Sequence, residues 1–558
     1  MIYNILIGGA AGLGMETMAF ILEKILKRKG FEIFVTQDYM SRVRGGHNFF
    51  QIRFADEAIA SHGDELDGII ALDRETIQNH LNRLKADGFI IADQEIDFQD
   101  ARLYRLMLKS TAKTIGNPKV FGNVALGAVL KFFNLDFTSI EDVINEKFQG
   151  EAALQNIKAF NEGYKMVPEK YAIQSKRKDD QILINGSEAI ALGALASGLK
   201  FYSGYPMTPA TGIMNYLASK MNKAEMIVEQ AEDEIAAINM AIGASYAGVR
   251  AMTGTSGGGF ALMVEAIGLS AMQEVPLVIV EMQRPGPATG FPTRTEQGDL
   301  KFVIFSSPAE IPKMVIALRD PEDAFYQTHR AFNLADKYQI PVILMGDQFL
   351  ADNTRTVSPF DFSKIKNNRH LSQQIYSETK EYRRYEITDS GVSPRIIPGK
   401  MPGTRVLTES HEHDEYGHIT ESGTIRNKMH DKRLRKMIYL KAELQEPIFV
   451  GEENADTLFL TWGSLSSPVK EAVKLLNSQG KGRYGALLFG DIWPLPDKLL
   501  KEKVKGVKML INVEQNATGL FASLISDCTG IQCGSSILKY DGRPLSSQEI
   551  VSRMKGGE

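Results

Sequence analysis

Residues 3–39 read YNILIGGAAGLGMETMAFILEKILKRKGFEIFVTQDY. The apolar run at the start breaks into a glycine turn. Met15 to Lys29 then carries apolar residues at helical spacing and stops at Gly30, and Phe31 to Tyr39 returns with the content of a strand. Strand, turn, helix, strand is the reading of an α/β chain. Apolar runs at DGIIALD (67–73) and GFIIAD (88–93) extend it, and the alternation predicts a parallel sheet with crossover helices over residues 1–165.

The pattern recurs twice downstream. One copy runs from ILINGSEAIALGALASG (182–198) to PVILMGDQFLADN (341–353); the other has strands at DTLFLTWG, YGALLFG and KMLINVE between residues 456 and 514. Residues 166–181 are polar with little periodicity and read as a linker. Residues 366–450, with ETKEYRRYEITDSGVSPRIIPGKMPGTR (378–405) among them, are rich in charge, Pro and Gly and read as an extended connector.

A chain of 558 residues at roughly 100–200 residues per domain suggests about three domains, each able to bury a core. The net charge of -4 and the lack of a long basic run argue against nucleic acid as the main partner. The two cysteines, Cys528 and Cys533, cannot between them ligate an iron–sulfur cluster or build a disulfide framework. The first twenty residues lack the basic flank and cleavage site of a signal peptide, and no apolar stretch reaches the roughly 18 residues of a membrane span. The expectation is a soluble, cytoplasmic protein with no membrane partner.

Several short motifs carry chemistry. GGAAGLG (8–14) lacks the G-x-G-x-x-G spacing of a dinucleotide site, so a tight strand-to-helix turn is the stronger reading. YMSRVRGGHN (39–48) holds two arginines that suit an anion, or sit in a solvated loop. In YSGYPMTPATG (202–212), Pro206 and Pro209 stiffen the backbone either side of Thr208, which suits a substrate hydrogen-bond donor and equally a plain rigid turn. SHEHDEYGH (410–418) has three histidines but no evident strand or helix, and an exposed connector outweighs metal binding there.

The densest stretch is VEQAEDEIAAINMAIGASYAG (228–248). Acids in a first helical turn favour the dipole, which suffices for Glu232 and Asp233. Glu234 lies where the apolar face begins, and a carboxyl buried among alanines implies a partner. MTGTSGGGFALM (252–263) places three glycines at the start of a helix, where backbone N–H groups can meet an anion or a flat ring can approach. In VIVEMQRPGPATGFPTRTEQGDL (278–300), Arg284 follows an apolar strand and can hold a carboxylate bidentately, or point to solvent.

In this order and spacing, YPMTP, EDEIAA, GASYAGVRAMTGTSGGGF and VEMQRPGPATGFPTRTEQGDL strongly resemble the α subunit of 2-oxoacid:ferredoxin oxidoreductases. Residues 1–165, with GGAAGLG and YMSRVRGG, resemble the γ domain of the same enzymes, fused ahead of α. The tail, with LFGDIWPLP and YDGRP, resembles the transketolase C-terminal-like domain. The resemblance covers nearly the whole chain. It implies a three-domain α/β fold: a γ-type domain at 1–165, a thiamine-pyrimidine-binding domain at 182–365 and, after the connector, a transketolase C-terminal-like domain at 451–558.

It also implies roles. Glu234 falls on the acid that bonds N1′ of the aminopyrimidine of thiamine pyrophosphate. Thr208 and Arg284 fall on the residues that orient the 2-oxoacid, with Arg294 and Arg44 as candidates for a distal carboxylate. Tyr205, Pro206, Thr255, Ser256 and Gly257 fall on the cofactor-binding segments. The family turn T-S-G-P-G-F is Thr255-Ser256-Gly257-Gly258-Gly259-Phe260 here; losing the proline relaxes the turn by up to about 1 kcal/mol and removes no reacting group.

No G-D-G followed by Asn at the spacing of a magnesium–diphosphate site is present, and no Cys cluster. The resemblance therefore implies half of an active site. A β subunit is expected to bring the diphosphate and Mg2+ half and at least one [4Fe–4S] cluster, within an (αβ)2 assembly; no metal is assigned to this chain. The implied reaction is oxidative decarboxylation of a 2-oxoacid, 2-oxoglutarate favoured by the αγ fusion. Coenzyme A takes the acyl group, ferredoxin takes the electrons, and the reverse direction fixes CO2. The alternative is the pyrimidine-domain subunit of a non-redox thiamine-dependent decarboxylase.

Overall fold

The computed structural model describes residues 2–40, 45–136, 140–175, 179–374, 376, 381–480 and 482–556. The chain clusters into two compact units. One comprises Met1–Ile184, Asp352–Pro359 and Ser546–Ser552; the other comprises Asn185–Ala351, Phe360–Leu545 and Arg553–Glu558.

The first unit holds an eight-stranded sheet, in spatial order Leu103–Leu106, Leu84–Asp93, Leu66–Ala71, Ile2–Ala11, Gly45–Ala55, Glu32–Asp38, Thr354–Val357 and Ile182–Ile184. The sheet is mixed, where the alternation predicted a parallel one. Ile2–Ala11 runs parallel to Leu66–Ala71 but antiparallel to Gly45–Ala55, which is also antiparallel to Glu32–Asp38. The polar content of GGHNFFQIRFA concealed that strand. Asn48, Gln51 and Arg53 are buried in it because their polar ends find partners: Arg53 donates to the Ser61 carbonyl at 2.6 Å, and Arg83 donates to Gln51 Oε1 at 2.6 Å. Gly8 and Gly9 lie inside the first strand and Gly14 caps the helix Met15–Arg28, so GGAAGLG forms a strand-to-helix turn.

The second unit holds two sheets. Seven strands lie in the order Asp491–Trp493, Met314–Ala317, Pro341–Asp347, Leu277–Gln283, Arg250–Thr255, Leu199–Gly204 and Ile227–Gln230. Every neighbouring pair is parallel except the first. Leu277–Gln283 is buried along its whole length, as an apolar run in the middle of a covered parallel sheet should be. The other sheet orders Ile448–Gly451, Tyr484–Phe489, Thr457–Trp462, Met509–Glu514 and Ser535–Leu538.

The stretch read as an extended connector contains the 18-residue helix Gly423–Leu440. Its buried positions are Met429, Lys432, Arg433, Lys436 and Leu440, and the three charged ones among them hide the helical repeat from an apolar pattern. Lys432 and Lys436 are both 0% exposed and form ion pairs with Glu274, at 2.5 and 2.6 Å. His413 is buried too, its ring 3.9 Å from that of Tyr385 and its Nδ1–H on the His411 carbonyl at 2.9 Å. Among the described residues no group of three His, Cys, Asp or Glu is placed to hold a metal, and no helix is long and apolar enough to cross a membrane.

Candidate active site

Open α/β sheets collect ligands at the carboxyl ends of their parallel strands. Four adjacent strands of the seven-stranded sheet deliver the candidate residues to one such edge. Tyr205 to Pro209 follow Leu199–Gly204, Ser256 and the helix Gly257–Met272 follow Arg250–Thr255, Arg284 follows Leu277–Gln283, and Glu234 stands just after Ile227–Gln230.

The four acids of the 228–248 stretch divide by environment. Glu229 and Glu232 are exposed, whereas Asp233 caps the helix Glu234–Tyr246 by accepting from the Ala236 N–H at 2.8 Å. Glu234 alone is buried, 3% exposed, and its Oε1 has no hydrogen-bond partner among the described residues. A buried carboxyl oxygen in that state is built to meet a donor that the protein itself does not supply.

Across from it, Arg284 Nη1 donates to the carbonyl of Thr208 at 2.8 Å. The contact is with the Thr208 backbone and leaves its hydroxyl uncommitted to the arginine; the Thr208–Pro209 peptide is cis. Burial pulls the guanidinium below its ordinary pKa. Thr255 and Ser256 are fully buried, with the Thr255 hydroxyl 3.9 Å from Met207 Sδ and Ser256 Oγ unpartnered. Tyr205 and Pro206 are exposed on the same loop. Arg294 lies further along the loop from Arg284, its side-chain stem against Gly542 and its N–H on the Phe291 carbonyl at 3.1 Å. Arg44 lies outside the described residues.

The glycine turn acquires a steric reading. A Cβ at Gly259 would overlap Glu234 Oε1 and Thr255 Oγ1, and one at Gly257 would overlap the Asp299 carboxyl, while at Gly258 the nearest neighbour is the Ala288 carbonyl at 3.8 Å. The outer two glycines let acids reach the helix start, and the middle position has room. Gly259→Ala is therefore expected to destabilise the protein by about 1–3 kcal/mol and displace Glu234. Gly258→Ala should change the melting temperature little, and thermal unfolding of the two variants side by side checks both.

Beneath this edge lies a layer of acids that the motif reading passed over. Glu281, 0% exposed, is the register partner of Thr255 on the neighbouring strand. Burial, then the Asp299 charge, hold its carboxyl well above the usual range. Asp299 is raised by burial, and Asp347 is pushed by burial up to about 6 although Ser464 and two backbone N–H groups support its charge. The signal was available: an acid inside LVIVEMQ breaks an otherwise apolar strand.

Comparison with known proteins follows the same outline. Residues 192–431 match the family "Pyruvate flavodoxin/ferredoxin oxidoreductase, thiamine diP-bdg", and residues 4–166 match "Pyruvate ferredoxin/flavodoxin oxidoreductase". The chain is 31% identical over 621 residues to the 2-oxoacid:ferredoxin oxidoreductase subunit alpha of Sulfolobus sp, covering 99% of this chain and 97% of that one. It is 31% identical over 378 residues to the 2-oxoglutarate synthase subunit KorA of Methanothermobacter thermautotrophicus, covering 67% of this chain and 98% of KorA. Among solved structures, the 2-oxoglutarate:ferredoxin oxidoreductase from Magnetococcus marinus, with 2-oxoglutarate, coenzyme A and succinyl-CoA bound, superposes with a TM-score of 0.92 at 30% identity, covering 100% of this chain and 99% of that one. The chain belongs to the 2-oxoacid:ferredoxin oxidoreductase family, as an α subunit carrying the thiamine-diphosphate-binding domain.

Proposed function

We propose that this subunit, together with a β subunit, oxidatively decarboxylates 2-oxoglutarate to succinyl-CoA and CO2 and passes the electrons to ferredoxin. The observation that carries the reading is the unpartnered, buried Oε1 of Glu234 at the same strand edge as Arg284. The residues present fit thiamine diphosphate: a buried carboxyl for a ring nitrogen, small residues at the helix start, and the hydroxyls of Thr255 and Ser256 beside them. When bound, the cofactor supplies a nucleophilic carbon that adds to the 2-oxo carbon and accepts the electron pair left as CO2 departs.

This chain's residues act around that chemistry. Glu234 holds a proton between its Oε1 and the pyrimidine nitrogen, and Thr255 and Gly259 keep its carboxyl in register. Arg284 binds the substrate carboxylate. One of its N–H groups is spent on the Thr208 carbonyl, which fixes the guanidinium plane and leaves the others to bind the anion. Thr208 donates its hydroxyl to the substrate, and Tyr205 and Pro206 close the cofactor pocket from the loop. Arg294 and Arg44 are the cations proposed for a distal carboxylate.

The diphosphate and Mg2+ half and a [4Fe–4S] cluster are assigned to the β subunit in an (αβ)2 assembly. Ile235 and Met240, exposed on the Glu234 helix, offer that subunit an apolar surface beside the site. The free thiols Cys528 and Cys533 suit a reducing, cytoplasmic setting. Similarity to KorA and to the 2-oxoglutarate-bound structure supports 2-oxoglutarate as substrate.

The test is viologen reduction by the chain co-purified with its β subunit, on 2-oxoglutarate, pyruvate and 2-oxoisovalerate, with and without coenzyme A. CoA-dependent reduction fastest with 2-oxoglutarate is expected. CO2 release without electrons would place the protein among non-redox decarboxylases, and a preference for pyruvate would reassign the substrate.

A further inference from the structure

The loop that carries Arg284 leaves the sheet at Gln283 and returns at Asp299, where the helix Leu300–Phe305 begins. Its returning end is fastened at several points. The Asp299 N–H donates to Gln283 Oε1 at 3.1 Å, the Gln297 N–H to the Gln515 carbonyl at 2.7 Å, and Gln297 Nε2 to the Trp462 carbonyl at 3.0 Å. The Asp299 carboxyl then presses on Gly257, at the first residue of the helix Gly257–Met272, where a Cβ would overlap it.

The carboxyl of Glu281 meets that of Asp299 here. Both oxygens of Glu281 are buried, and among the described residues neither receives an N–H or O–H. The Asp299 carboxyl is its acidic neighbour: the Asp299 N–H is held by Gln283, two residues along the same strand, and each acid bears on the other's protonation. Two carboxylates cannot hydrogen-bond each other, so a bond between the fully buried Glu281 and the half-buried Asp299 requires one proton. The groups facing the pair are acids as well: Asp347 acts on Glu281, and Glu296 lies within the influence of Asp299. On the remaining side, Glu281 neighbours Thr255, whose hydroxyl flanks Glu234.

We propose that Glu281 and Asp299 share a single proton, and that this proton clips the returning end of the Arg284 loop onto the Gly257 turn. The two acids are thereby positioning residues for binding of the 2-oxoacid carboxylate. The inference rests on the assignment of Arg284 to the substrate carboxylate. Glu281 and Asp299 touch neither substrate nor cofactor; they hold the loop that does. With the proton in place the pair carries one negative charge and an O–H···O bond. Without it, the two carboxylates repel and the loop loses one of its fastenings, the one that bears on the Gly257 turn. The folded state holds this proton more tightly than the unfolded chain does. The stability it lends is thus complete at low pH and lost as pH rises through the folded value, and substrate affinity falls over the same window.

Asp299→Asn separates this from a purely structural role. The amide supplies a permanent N–H donor to an ionised Glu281, so the variant carries the charge and the bond of the protonated pair at every pH. Two measurements on the complex with its β subunit decide the matter. In infrared spectra across a pH titration, the parent should show a protonated-carboxyl absorption at neutral pH that both Asp299→Asn and Glu281→Gln remove. In steady-state kinetics, the parent's KM for the 2-oxoacid should rise on the alkaline side by about tenfold per pH unit, the slope of one proton. The kcat should move less, and Asp299→Asn should flatten the rise. Absence of that carboxyl absorption overturns the shared proton. An unaltered alkaline rise in Asp299→Asn overturns the positioning role. If the parent reduces viologen with no 2-oxoacid, the functional reading fails instead. The infrared titration, together with loss of the parent's alkaline thermal destabilisation in Asp299→Asn, then still decides the clip.

Discussion

Glu234→Gln is expected to cut 2-oxoacid-dependent viologen reduction by about 10²–10⁴-fold, the range in which a positioned acid–base group contributes. The fold should be kept. The side chain is 3% exposed and its Oε1 is unpartnered, so an amide of the same shape removes a buried acid without opening a cavity. Thermal stability without cofactor should hold or rise slightly while activity collapses. That opposition of signs is the useful feature: a residue serving the fold would lose both together. The measurement is the rate of the αβ complex beside the melting temperature of the same preparation. An active variant would show that the cofactor acid lies elsewhere.

Glu274→Gln is expected to do the reverse, damaging the fold first. Glu274 lies just after the helix Gly257–Met272 and takes both Lys432 and Lys436, all three side chains fully buried. Arg384 donates to its backbone carbonyl at 2.7 Å. Burial by itself would raise the Glu274 carboxyl; Lys432, Lys436 and Arg384 override it and hold the group well below the usual carboxylate range. Burial pushes Lys432 down to about 7 even with Glu274 beside it. Removing the acid strands two buried ammonium groups, at a cost of about 3–5 kcal/mol.

The pH dependence has a definite sign. The folded-state pKa of Lys432 lies below its unfolded value, so above pH 7 the unfolded chain holds more protons and stability rises with pH. The deficit of Glu274→Gln should accordingly be largest near neutral pH; it shrinks at alkaline pH as the lysines discharge, and in acid, where the unfolded parent takes up a proton that folded Glu274 resists. Adding Lys432→Met and Lys436→Met to Glu274→Gln should restore most of the lost stability, since an apolar replacement leaves no buried charge. Denaturant unfolding of the parent, single and triple variants across pH reads out each expectation. A triple variant no better than the single would mean that Glu274 matters for shape and not for charge.

Parts of the molecule were legible from residue order because their physics is local. A glycine turn between an apolar strand and a helical repeat, as at residues 3–39, admits few conformations, and the α/β class follows. Thr208 between two prolines, Glu234 at the start of an alanine-rich helix and Arg284 at the end of an apolar strand each stand out against their neighbours. The structure brings these segments to adjacent strand ends. Other parts were hidden because the local pattern misleads. Residues 39–48 were read as a loop, yet Gly45–Ala55 is a strand whose Gln51 and Arg53 are buried against Arg83 and the Ser61 carbonyl, partners outside the strand. The helix Gly423–Leu440 looked like extended connector, since Lys432 and Lys436 face the carboxylate of Glu274, more than 150 positions away.

Residue order alone carried the α/β class, the family and the candidate site residues, because turn geometry, periodicity and acid placement are properties of neighbours along the chain. The three-dimensional fold was needed to show which of four clustered acids is buried without a partner among the described residues, that Arg284 grips the Thr208 backbone, and why Gly257 and Gly259 must lack side chains. Those facts depend on what lies across a strand edge or a helix start. The burial of a charge, and therefore its protonation and its use, is fixed by groups that the chain order does not place side by side.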